Sequence, residues 1–202
     1  TDRKTWITGQ VIYILAATTV YLAFVLVSTV VLSIQQSFIA NMWSSTAAIL
    51  GYTNAGERVA LPALVKTLEM SWPYQSMVSI FALMLGYTTV MVLLMLVCNL
   101  RFGQVAGVVS VMVFGLYGIL MQPNTIQLIL DLPDEAYYIA NVIIGWLSPL
   151  NQATYHMHNF GYDKLPRLWQ SYCIFTGLAV VLYVLAIWAA KQYNFSFTGT
   201  EG

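Results

Sequence analysis

Of 202 residues, 59% are hydrophobic and only 8% charged. A soluble domain of this size has too little interior to hide that much apolar side chain, so lipid is the expected solvent. A formal net charge of zero gives no electrostatic reason to expect nucleic acid or an acidic polymer as partner.

The chain opens on Asp2, Arg3 and Lys4, after which no charge occurs from residue 6 to residue 56. A hydrocarbon core of ~30 Å needs ~20 mostly apolar residues to be crossed as helix. Residues 6–34 therefore form a first span, A, and this run is far longer than the ~7–15-residue apolar core of a cleavable leader, so none is expected. Around the helix, Gln10, Ala17, Tyr21 and Ser28 cluster on one side, while Ile12, Leu15, Leu22, Leu26 and Val30 fall on the other. The polar stripe is expected to face protein or a water-filled path, and the apolar one lipid.

Residues 35–75 are mixed in character and form an outer loop. Within it, Leu61, Leu64, Val65 and Leu68 recur at helical spacing behind Pro62, with Lys66 and Glu69 on the polar side. That pattern fits a short helix lying on the membrane surface. Trp72-Pro73-Tyr74 then supplies an interfacial anchor and a helix start for span B, residues 76–97, with Ser79, Ala82 and Gly86 along one side for close helix approach.

Only residues 98–104 join span B to span C, residues 105–121, which predicts a tight helical hairpin with Arg101 at its tip. Gly103, Gly107, Ser110, Phe114, Tyr117, Gly118 and Met121 share one stripe of span C, and the branched apolar residues on the rest of the helix belong in lipid.

Residues 122–168 form a second outer loop. Asp131, Asp134 and Glu135 read as a helix start leading into apolar residues 137–147, a run too short to span and expected as a re-entrant or interfacial helix. Span D covers residues 169–190, closed by Lys191. The fold class is thus an all-α integral membrane protein, one transmembrane domain with four helices plus a short outer helix.

Arg3, Lys4, Arg101 and Lys191 abut span ends in short segments, whereas Arg58 and Lys66 lie mid-loop and Lys164 and Arg167 flank span D. Proximity favours a cytoplasmic side for the first set, with both termini there and the chain in the plasma membrane. Cys98 and Cys173 then sit near opposite membrane faces, too far apart for a disulfide.

His156-Met157-His158 would place both rings on one side of an extended segment. A zinc site needs four ligands and nearby residues offer only Asp163, so polar loop residues are the better account than a metal or haem site. The three acidic residues 131, 134 and 135 are better explained by helix capping than by acid–base hydrolysis. No Lys, Asp or Glu lies mid-span to relay protons, and no G-x-x-x-x-G-K-[ST] loop occurs. Asn194-Phe195-Ser196 matches a glycosylation acceptor but falls on the cytoplasmic side. The stripes on spans A and C leave two readings: helix-to-helix packing, or a passage for an amphiphilic molecule bordered by Gln10, Tyr21, Ser110, Phe114 and Tyr117.

The run Asp2-Arg3-Lys4-Thr5-Trp6-Ile7-Thr8-Gly9-Gln10 into a long span, the hairpin around Arg101, the outer stretch ending Trp146-Leu147-Ser148-Pro149 and the last span ending at Lys191 resemble the second half of a type-2 ATP-binding-cassette (ABC) transporter permease. The likeness covers nearly the whole chain and maps spans A to D onto the third to sixth of six. The first two spans and the coupling helix of that family lack counterparts here. The resemblance implies a transport subunit with no catalysis of its own, forming the passage of an exporter. ATP and Mg would be bound by separate ATPase subunits, and a second permease copy or a paralogue would complete the assembly. Asp2, Arg3, Lys4 and Arg101 would lie near the ATPase. A structural or assembly subunit of another membrane complex is the alternative.

Overall fold

Long uncharged runs free of internal proline leave the backbone one way to satisfy its polar groups without water, which is helix. In the computed structural model, which describes residues 3–32, 42–43, 71–131, 133–161 and 164–192, every described regular element is helical. Asp2, the expected surface helix at residues 61–69, Asp163 and the Asn194 acceptor lie outside the described residues.

Helix α1 is Arg3–Leu32 and α2 is Pro73–Phe102, with Trp72 as its N-cap residue and Pro73 in its first turn. Proline suits that position because its missing N–H would have no helical partner there. A single residue, Gly103, separates α2 from α3, Gln104–Leu120. Its φ of +95° and ψ of 171° fall where only glycine is comfortable, since any Cβ collides with the backbone. The expected turn of several residues thus shrinks to one, and Arg101 belongs to the last turn of α2. Short helices α4 (Pro123–Leu130), α5 (Asp134–Leu147) and α6 (Pro149–Ala153) and a 3-10 turn at Tyr155–Met157 follow, before α7, Leu168–Gln192.

Helices α1, α2 and α7 pack against one another, while α3 lies along α2 and touches α6. The Arg3 guanidinium reaches the Lys191 carbonyl and Arg101 bonds the Gln192 side chain, so the start of α1 and the ends of α2 and α7 meet at one end of the bundle. Segments from α4 to the 3-10 turn gather at the other end, around His158. The division of Arg3, Lys4, Arg101 and Lys191 from Lys164 and Arg167 follows this arrangement. By length and composition α1, α2 and α7 can each cross a membrane. Helix α3 has 17 residues, or about 26 Å at 1.5 Å per residue.

Two apolar clusters hold the bundle. Ile7, Val11, Leu93, Ala186 and Ala190 fill the Arg101 end, where alanines on α7 let three backbones come close. Leu83, Val90, Phe175 and Tyr155 form the second, which ties the 3-10 turn to α2 and α7. Within the small-residue row on α2, Gly86 lies against α7: a Cβ there would stand 3.1 Å from Phe175. The branched side of α3 is exposed from Val105 to Leu120.

Two expectations need correcting. On α1 the buried face is Ile7, Val11, Thr18 and Leu22, whereas Tyr21 is 64% exposed and Ala17 also faces outward. Apolar packing against alanines and leucines of α7 and α2 outcompetes the weakly polar stripe for the bundle interior. Asp131 does not start α5; with φ +47° it is the left-handed cap that ends α4, its N–H bonded to the Gln127 carbonyl, and Pro133 precedes α5. A short polar side chain tolerates that conformation better than most.

Candidate functional site: a groove between the hairpin helices

The approach of α3 to α2 is set by Gly107 and by what lies on it. The Asn99 side chain rests over Gly107, so that a Cβ there would lie 1.8 Å from Asn99 Oδ1. That oxygen is buried and without a hydrogen-bond partner. Further along, Phe114 stacks on Tyr87 with ring centroids 5.9 Å apart. Beside this seam, on the side away from α7, an open groove of about 550 Å³ runs between the two helices.

Ser110, Phe114 and Tyr117 all border that groove, together with Cys98 and Phe102 of α2 and Val109 and Val113 of α3. Three of the five residues expected to flank a passage are therefore brought together. Gln10 and Tyr21 are not: α1 packs on α2 and α7, leaving Gln10 half-buried and Tyr21 facing out. The groove's hydroxyls are already engaged within the chain. Ser110 donates to the Gly107 carbonyl at 2.7 Å, and Tyr117 donates to the Leu147 carbonyl at 3.3 Å. The groove thus offers apolar surface, the rings of Phe102, Phe114 and Tyr117, hydroxyl lone pairs and the Cys98 thiol, with no charged side chain in its lining. It suits the apolar part of a ligand. Among the described residues no group of three or more His, Cys, Asp or Glu side chains gathers to hold a metal.

At the basic end, Arg3 donates to the carbonyls of Ala190 (3.4 Å) and Lys191, satisfying two of the last acceptors of α7. Arg101 bonds Gln192 Oε1 and lies over the Trp188 ring, 4.8 Å from its centroid. Lys4 and Lys191 are exposed beside them. Cationic side chains at helix C-termini complement the partial negative charge of the free carbonyls.

The polar cluster at the opposite end was not legible as a unit in the sequence. Ser148, Asn151, Gln152, His158 and Ser171 are each at most 4% exposed. Ser148 caps α6 by accepting from the Asn151 N–H, and the Asn151 amide donates to the Met121 carbonyl at 3.0 Å, fastening α6 to the end of α3. The Gln152 amide donates to the Trp146 carbonyl at 2.5 Å, and the Trp146 indole to the Lys164 carbonyl at 3.1 Å.

His158 is the pin of this end. Its Nδ1 lies 3.0 Å from both the Thr154 and Tyr155 carbonyls, so that nitrogen carries the proton, and Nε2 accepts from the Ser171 hydroxyl at 2.9 Å. Burial pushes the imidazole below its ordinary pKa, against a smaller opposing pull from the two carbonyls; the nearby His156 lowers it further. The two histidines do not share a side: the segment turns as a 3-10 helix, leaving His156 exposed and His158 inside. The Ser148-Pro149 capping signal was the one local cue to this cluster. Ser171, on α7, carried none.

Comparison of the chain with protein-family models, curated proteins and solved structures finds no match.

Proposed function

We propose that this chain is the membrane-spanning part of an ABC-type exporter permease, with four crossings and the Arg101 end in the cytoplasm of the plasma membrane. The observation that carries the reading is the α2–α3 groove, which gathers Ser110, Phe114 and Tyr117 on the wall of one open, uncharged trough. An amphiphilic cargo with a large apolar part matches that lining. On this reading a separate ATPase pair binds ATP and Mg and closes against the end bearing Arg3, Lys4 and Arg101, with Asp2 beside them in sequence. A second copy or a paralogue completes the passage. The resemblance in layout described above is the further support.

A second reading, a structural subunit of another membrane complex, draws on α1, whose Tyr13, Val20, Tyr21 and Phe24 are each 64–70% exposed and could pack against a neighbouring subunit. Purification from native membranes in mild detergent separates the two: a co-purifying nucleotide-binding subunit supports the permease, and recovery with redox subunits refutes it. Within the permease reading, Phe114→Ala and Tyr117→Ala should reduce transport more than Val109→Ala. Equal effects would leave the aromatic residues to packing alone.

A further inference from the structure

We propose that the Arg101 end of the bundle holds the headgroup of an anionic phospholipid, gripped by Lys4, Arg101 and Lys191. The inference stands whether or not the chain is a permease.

Four cations from three helix ends converge here: Arg3 and Lys4 in the first turn of α1, Arg101 in the last turn of α2 and Lys191 in the last turn of α7. Helix dipoles do not consume this charge. The C-termini of α2 and α7 each present about half a negative charge, and the N-termini of α1 and α3 present about as much positive charge, so the dipoles nearly cancel. Nor does an acidic side chain among the described residues balance it. Asp131, Asp134 and Glu135 belong to the segments at the opposite end of the bundle. Asp2 and Glu201, both outside the described residues, are the acidic residues nearest these cations in sequence, two against four. Arg3 is engaged by the end of α7. Among the described residues Arg101 meets an uncharged amide and a ring, neither of which neutralises its charge, and both lysines are exposed.

Depth identifies the partner. Trp6 and Trp188 are 40% and 49% exposed, two residues after Lys4 and three before Lys191. Along a helix that is about 3–4.5 Å. Exposed indoles at span ends settle at the headgroup level of a bilayer, which puts the cations at the depth of lipid phosphates. Basic pockets between helix ends at that depth are suited to anionic headgroups.

The test uses the full chain in nanodiscs of phosphatidylcholine with a minor share of phosphatidylglycerol, and native mass spectrometry of the lipids retained. The wild type should retain phosphatidylglycerol well above its supplied share. Removal of one cation should weaken that preference about fivefold, from ~1 kcal/mol per basic side chain at an anionic surface. Lys4→Gln/Lys191→Gln removes two cations without touching Arg101 and should weaken the preference about 25-fold, and Arg101→Gln added to that pair should abolish it. Lys4→Arg/Lys191→Arg should keep it, as should Lys164→Gln/Arg167→Gln at the opposite end. Retention of the two lipids in the ratio supplied overturns the proposal, as does equal retention by the wild type and the lysine variants. Either result leaves the cations to a protein partner or to helix-end capping.

Discussion

Gly107→Ala is the most direct probe of what holds α3 against α2. Exposed to nothing else, alanine would gain about 1 kcal/mol over glycine in a helix. Here the added methyl would stand 1.8 Å from Asn99 Oδ1, 2.5 Å from its Cγ and 3.0 Å from the Met95 carbonyl oxygen. Restoring ordinary contact requires the amide to move by about 1.5 Å or more, or α3 to lift away from α2. Overpacking of this kind costs about 1–3 kcal/mol, so the net expectation is destabilisation by about 1 kcal/mol. The amide is also the remedy. Its oxygen is buried without a partner, so Asn99→Ala gives up no bond at that atom and clears the space. In equilibrium unfolding from mixed micelles, Asn99→Ala/Gly107→Ala should therefore be more stable than the two single changes predict, by ~1 kcal/mol or more. A stabilising Gly107→Ala, or additive behaviour in the double variant, would refute the contact.

Gly103→Ala forces a Cβ into φ +95°, ψ 171° and should cost about 1–3 kcal/mol in the same unfolding measurement; a neutral outcome would mean that the hairpin turns elsewhere. His158 should make stability pH-dependent. Its folded pKa lies below the ordinary 6.5, so the unfolded chain takes up the proton first as pH falls. Its contribution is full above about pH 6.5 and is lost as pH drops from there towards the folded pKa. His158→Gln should flatten that fall in the unfolding midpoint, and an unchanged pH profile would show that the ring is not the group responsible.

The helices were legible because each rests on a local pattern. Uncharged runs set α1, α2 and α7, Pro73 set a start, and the shortness of residues 98–104 set the hairpin. What escaped depends on competition between distant surfaces. The outward turn of Tyr21 follows from Ala186 and Ala190 offering α1 a closer fit to Ile7 and Val11, and no window on α1 alone records that. His158 read as a loop residue because its acceptor role requires Ser171, 13 positions later. The groove was half legible: the stripe of α3 predicted which residues share a side, but only the seat of Asn99 on Gly107 decides that Ser110, Phe114 and Tyr117 border open space.

Helix α3 is fastened at both ends and lies along α2 between them. Near the basic end it has the Gly103 turn and Gly107. At the other end a Cβ on Gly118 would stand 2.8 Å from Leu150, Tyr117 bonds the Leu147 carbonyl and Asn151 bonds the Met121 carbonyl. Between them the contact with α2 includes the Phe114–Tyr87 stack. Its far-end partners lie in α5 and α6, and the chain that follows is pinned to α7 through His158 and Ser171. Widening the groove therefore pulls on that pin, and weakening the pin should loosen the groove. Spin labels at the native Cys98 and at Val109→Cys, in a Cys173→Ser background, report the α2–α3 separation directly. Ser171→Ala leaves His158 Nε2 buried without its donor, a loss of ~1–3 kcal/mol, and should broaden the measured distance distribution although it lies on neither labelled helix. An unchanged distribution would mean that α3 is positioned by α2 alone and that the two ends of the bundle are mechanically independent.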